Sequence, residues 1–374
     1  MLCIWFNSRA DSRINASMPH QSVERVVNMY TPIQDTTEAL VILDRSSLYE
    51  ATDPKDYFYA NMGDHAMKKI AKDTWINYGI ATQTLLKTIF HWFVYNDGNL
   101  DVLSFAQRVG NLDNDIASWV PQWHMRATVN QMVRSHHMYN ASGSSKPVYS
   151  FPNLANLNIV LIDGIFFDIV SAVSDSSNLR RAWISTASGE FRPQNASQDT
   201  HPFVVSFQEH QNDLDVYQND LLEAIGAACV VGKLDVDGPG SQRRTKDAPE
   251  IHSADTKAIY KYLREGDNGS CTEDCNLGRR HIGCWRQFAV KALDASRGRT
   301  YVTTERGYVG LAPENVRKGD MICVLYGGNV PYALRTVEGY FRFLGECYVH
   351  GIMDGEVMEM LSKGRFEKTE FDIR

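Results

Sequence analysis

Cys347-Tyr348-Val349-His350 sets a thiol three residues from an imidazole, and Asp354 and Glu356 follow between and beside Gly351 and Gly355. A thiol next to a base is the core of a thiol hydrolase, and two carboxylates in a turn can bind a cation. On a strand, however, side chains alternate, so Cys347 and His350 point to opposite faces. A reactive thiolate also needs a nearby cation or helix N-terminus. This reading makes Gly345–Glu356 an architectural closure, in which Asp354 satisfies backbone N–H groups. A hydrolase using Cys347, His350, Asp354 and Glu356 is the alternative.

Cys271, Cys275, His281 and Cys284 supply four zinc-type ligands within fourteen residues. Their spacing, C-x3-C-x5-H-x2-C, departs from the usual C-x2-C pairs, so no zinc site is expected. Asp53 and Asp56 look like a carboxylate pair. The simpler reading is a capped turn, with Asp accepting a backbone N–H and Pro54 in a first turn. Trp119 and Trp123 flank Pro121 and could stack bases. Without a basic surround, the expectation is that both indoles pack in a core. No phosphate-binding glycine loop and no nucleophile elbow is present. No cofactor is expected.

The chain has 374 residues, 43% of them hydrophobic, and carries a net charge of -7. That is ordinary globular composition, and its acidity argues against non-specific nucleic-acid binding. No apolar run approaches the roughly 18 residues of a membrane span, and the apolar start ending at Asn7 is no signal peptide. Seven cysteines, an odd number, suit reduced thiols in a cytoplasmic protein.

Apolar residues from Met67 through Trp75, Tyr78, Leu85 and Ile89 to Trp92 recur at three- and four-residue steps. They predict one long helix over 65–95, stopped by Asn96-Asp97-Gly98-Asn99. A shorter helix is expected over 100–109, strands within 157–173, and helical period over 205–231. The segment 235–250 reads as a flexible insertion, and a helix is expected over 281–293. Five short strands follow within 299–344, separated by glycine-containing turns. The fold class is α+β: a helical N-terminal half with a C-terminal small antiparallel β-sheet or SH3-like barrel. The expected divisions are 1–130, 131–298 and 299–374.

Four stretches together resemble one family. Ala51-Thr52-Asp53-Pro54-Lys55-Asp56, with Tyr59–Gly63, is similar to its "ATDPRDKVYALLG" box. Leu100–Ser104 and Ser118-Trp119-Val120-Pro121-Gln122-Trp123 are similar to "LDVLS" and "SWVPDW". The closing segment runs through Tyr308–Leu311, Gly319–Gly328 (including Gly327) and Gly345-Glu346-Cys347-Tyr348-Val349-His350-Gly351. The family is the fungal heterokaryon-incompatibility (HET) domain proteins, implicated in cell death when unlike hyphae fuse. Its "ALSYVWG", "WIDAICINQ" and "VWTLQE" segments are absent. The resemblance therefore implies a truncated, C-terminal accessory region without the HET domain and without an enzyme activity of its own. A protein partner or an upstream HET domain is the expected partner, with no nucleic acid and no membrane.

Overall fold

The computed structural model describes residues 37–67, 70, 76–106, 116–125, 129–132, 138–152, 158–191, 201–210, 216–217, 220–235, 242–266 and 282–374. In chain order the helices are α1 (Thr37–Ser46), α2 (Asp56–Tyr59), α3 (Thr82–Asp97), α4 (Ser176–Ser188), α5 (Pro202–His210), α6 (Leu221–Cys229), α7 (Pro249–Glu265), α8 (Trp285–Ala295) and α9 (Glu356–Ser362). The strands are β1 (Tyr149–Ser150), β2 (Val160–Val173), β3 (Lys233–Asp235), β4 (Gln242–Arg244), β5 (Arg299–Thr304) and β6 (Val309–Pro313). They continue with β7 (Met321–Leu325), β8 (Tyr332–Val337), β9 (Tyr340–Glu346), β10 (Tyr348–Val349) and β11 (Lys368–Ile373). The α+β class holds, and the five expected C-terminal strands are β5 to β9.

Those strands do not close by themselves. The sheet runs β10-β6-β5-β2-β11-β9-β8-β7, and β7 returns to β2, so β2, β11, β9, β8 and β7 form a ring. Most neighbours are antiparallel; β9 and β11 are parallel and joined through Ile373 and Phe341. The central strand β2 lies outside 299–374. It is one 14-residue strand rather than two short ones. At Gly164 it passes close to β7, where a Cβ would stand 2.6 Å from the Val324 carbonyl oxygen, and its register shifts between Phe166 and Asp168. Val160 and Ile162 belong to one core cluster, Ile165 and Phe167 to another.

Alternation divides β5 to β9 the same way. Val302, Ala312, Val324, Ala333 and Leu344 fill the small barrel interior. Tyr301, Leu311, Cys323, Leu334 and Phe343 face outward into a larger core shared with the helices. On the helical side, Tyr262 of α7 stacks on Trp285 of α8, with ring centroids 3.7 Å apart. Asp175 caps α4 by accepting the N–H groups of Ser177 and Asn178.

The long helix over 65–95 is corrected. Among the described residues α3 is the α-helix there; it buries Leu85 and Ile89, but Tyr78 sits in a turn and is 54% exposed. The Asn77 side chain accepts the Gly79 N–H, while its backbone C=O and N–H both meet the Tyr59 hydroxyl. This side-chain turn competes with helix. Trp75 lies outside the described residues. The stop at Gly98 is as expected, with φ 64°.

The shorter helix expected over 100–109 is a 3-10 turn over Asp101–Phe105, and residues 107–109 lie outside the described residues. The helical period over 205–231 is split between α5 and α6. The segment 235–250 is not a free insertion: β4, a 3-10 turn (Thr245–Asp247) and the start of α7 are all built in. Residues 236–241 lie outside the described residues. The helix expected from 281 begins at Trp285.

Candidate functional site

The family-like boxes meet on the barrel. The Leu100 N–H donates to the Gly327 carbonyl at 2.9 Å, and the Asn329 amide donates to Asp101 at 2.9 Å. A side chain at Gly327 would collide with the Pro147 ring, and one at Gly328 with Tyr332. Ser118 Oγ accepts the Phe343 N–H at 2.9 Å and donates to the Arg374 carbonyl. Trp119 and Trp123 are both buried. Trp119 packs edge-on against Phe90, its centroid 4.7 Å away, and donates to the Asn158 carbonyl. Pro121 lies between them in non-helical backbone, so the box anchors by packing rather than offering stacking surfaces.

Asp53 and Asp56 have separate jobs. Asp53 accepts the Lys55 N–H at 2.9 Å and pairs with its ammonium; Pro54 holds the turn ahead of α2. Asp56 accepts from the Tyr78 hydroxyl at 2.6 Å, which pushes that phenol up to about 12.

Strand alternation also governs the Gly345–Gly351 run. Cys347 and Val349 enter the barrel interior, whereas Tyr348 faces the shared core. Burial pushes the Cys347 thiol above its ordinary range, and its N–H donates to the Pro331 carbonyl. Tyr348 Oη lies 3.3 Å from His350 Nδ1. The His350 imidazole is pulled down to about 4 by burial, with His252 and Arg244 adding to the effect. Its carbonyl accepts from Tyr217, whose oxygen in turn accepts the Val309 N–H. Gly351 turns the chain with φ 93°.

Glu346 heads the row. Its Oε1 accepts from Arg299 Nη2 at 2.6 Å and from the Met132 N–H at 2.7 Å. Arg299 also donates to the carbonyls of Asn130 and Ala295. One ion pair thus joins β5, the end of β9, the end of α8 and the 130–132 segment. Lys233, its amine lowered to about 8 by burial, interacts with Glu346 through space.

The turn carboxylates are arranged differently from the expectation. Glu356, not Asp354, satisfies backbone: its Oε2 accepts the Asp354 N–H at 2.7 Å. Asp354 is instead held by Arg244 and, at 2.8 Å, by Lys246. Burial alone would raise its pKa, but these donors outweigh that and hold it below the usual carboxylate range. Cys347, inside the barrel, is therefore set apart from His350, Asp354 and Glu356, which lie around Arg244. Among the described residues, no group of three or more His, Cys, Asp or Glu side chains is placed to hold a metal ion. Cys271, Cys275 and His281 lie outside the described residues; Cys284 is buried at the head of α8.

Sequence reasoning passed over Arg299, Arg244, Lys246, Tyr139 and Tyr217. Arg299 carried a signal, a cation opening an otherwise uncharged strand. Arg244 and Lys246 stood in a charged run, which reads equally well as a solvated loop.

Residues 266–368 match the Het-6 beta-barrel domain. This part of the chain is similar to a Het-6 barrel. The chain is also 22% identical over 351 residues to "Heterokaryon incompatibility protein 6, OR allele" of Neurospora crassa, an alignment covering 84% of this chain and 50% of that protein. The chain spans about half the length of that curated relative. No solved structure matches. Both similarities are to fungal HET-type proteins, and β2 and all of β11 after Lys368 extend the barrel beyond the matched segment. Among the described residues, no helix is long and apolar enough to cross a membrane.

Proposed function

We propose that this chain is a non-catalytic accessory and regulatory region of a HET-type protein, acting in fungal non-self recognition and the cell death that follows fusion. Its working partner is a protein, such as a HET domain, and its site of action is the cytoplasm. One observation carries the proposal: the family-like residues spend their polar groups on joining the helical layer to the barrel. Glu346 binds Arg299 and Met132, Ser118 binds Phe343 and Arg374, and Asp101 binds Asn329. Cys347, the nucleophile of the hydrolase alternative, lies inside the barrel with its thiol pushed up.

The test is expression of this chain in hyphae that are then fused with strains carrying unlike HET-type alleles. The incompatibility reaction should strengthen or weaken in an allele-dependent way, and a Cys347→Ala variant should act like the parent. No effect in any pairing removes the regulatory reading, and loss of the effect with Cys347→Ala restores the enzyme.

A further inference from the structure

A valine stands where a helix end calls for glycine. α6 closes in a Schellman turn: the Gly232 N–H donates to the Ala227 carbonyl at 2.7 Å and the Val231 N–H to the Ala228 carbonyl at 3.0 Å. The turn requires a left-handed residue, and Val231 takes φ 45°, the one non-glycine with positive φ among the described residues. A branched Cβ crowds the backbone there, so the position is strained. Strain of this kind persists only where neighbouring contacts hold it. Here the Tyr139 hydroxyl donates to the Val231 carbonyl at 2.5 Å, and the Tyr348 ring lies so close over Gly232 that a Cβ would stand 2.8 Å from it.

The strained turn leads into β3, which pairs with β4 in a two-stranded sheet of its own. The Thr245 N–H donates to the Gly232 carbonyl at 2.8 Å, closing this piece back on the turn. Among the described residues, β3 and β4 make no strand pairing with the main sheet. Side chains fasten them instead. Arg244 lies over the Tyr139 ring, 5.4 Å from its centroid, and Arg244 and Lys246 both hold Asp354. That latch is partly in water, with the Asp354 side chain 26% and that of Lys246 51% exposed, where ion pairs contribute little. A strained turn at one end thus favours release, and a weak latch at the other opposes it.

We propose that β3, β4 and the following 3-10 turn form a strap, hinged at Val231 and latched on Asp354, which opens to uncover Tyr348 of the edge strand β10. On opening, Val231 relaxes to extended backbone, Arg244 leaves the Tyr139 ring and Gly232 leaves the Tyr348 ring. The barrel stays closed, because β10 keeps its pairing with β6. The strap goes beyond the regulatory reading above and does not depend on it.

Hydrogen exchange of the whole chain at neutral pH, read by peptide mass spectrometry, tests it. Amides of 243–247 should exchange at least about tenfold faster than those of β2, because they open with the strap rather than with the whole fold. Asp354→Asn should speed them at least about threefold more and leave β2 unchanged. Equal protection of the two segments, or a variant that acts on neither or on both alike, overturns the proposal. The hinge has its own readout. In valine-labelled protein, Asp354→Lys, which repels both cations, should give Val231 a second Cα resonance shifted towards extended backbone. A single left-handed resonance in variant and parent overturns the proposal as well.

Discussion

Arg299 Nη2 stands 2.6 Å from Glu346 Oε1, and both side chains are sealed from solvent, at 1% and 0% exposure. Glu346 Oε2 and Arg299 Nε have no hydrogen-bond partner among the described residues. A buried pair with such remainders repays its desolvation poorly, and breaking it strands a charge. Arg299→Met should therefore cost about 3–5 kcal/mol, whereas the double change Arg299→Met, Glu346→Leu should recover much of that loss. Urea unfolding of the three proteins checks this. A double variant no better than the single would show that the pair is net stabilising.

Cys347 should be inert. Its thiol is buried, raised by burial first and by the Glu346 charge second. In native protein, a limiting alkylating reagent should label Cys347 only on unfolding, as read by peptide mass spectrometry. Rapid labelling with an apparent pKa below about 8.5 would contradict the burial described here.

Stability should fall with acid in a window set by histidine. His350 is held at about 4 and His201 at about 3, both chiefly by burial, against an ordinary 6.5. The unfolded chain then binds more protons than the folded one below pH 6.5. The stabilising effect is complete above that pH and is lost as pH falls towards 4 and then 3. For His350, whose ring faces Tyr348, His252, Arg244 and Asp354, the loss amounts to about 3 kcal/mol at most. His350→Gln should shrink the difference between urea midpoints at pH 7.5 and 4.5, and an unchanged difference would place the acid sensitivity elsewhere.

The barrel should fail without β2. The fragment 266–368 contains β5 to β10 but neither β2 nor the whole of β11, both members of the ring. It should show no cooperative urea transition. In the whole chain, Gly164→Val should destabilise severely, because its side chain would run into the backbone at Val324 and Leu325. A well-folded fragment with dispersed amide resonances would show that the ring closes in another way.

What could be read in advance followed the range of the interactions. The period-2 pattern over Gly345–Gly351 is local, so the opposite facing of Cys347 and the polar row was legible. The five strands were legible for the same reason, since each is bounded by its own glycines. Arg299 meets Glu346 across 47 positions and Arg244 meets Asp354 across 110, and no local pattern announces either pair. The helix over 65–95 failed for the converse reason. Its apolar spacing was real, but the Tyr59 hydroxyl, 18 positions away, takes both backbone groups of Asn77.

β2 pairs residue 162 with residue 371, and Ser118 reaches residue 374. The ring thus joins stretches of chain that begin far apart, and loop-closure entropy must be overcome before its hydrogen bonds form. Barrel closure is expected to be a late and slow event, in the millisecond-to-second range typical of non-local β topologies. Until it occurs, the outward faces of β7, β8 and β9 have no settled partner, and the unclosed edges of β9 and β2 are open to pairing with other chains. The same long-range strand that completes the barrel therefore sets the interval during which the newly made protein is most prone to aggregate.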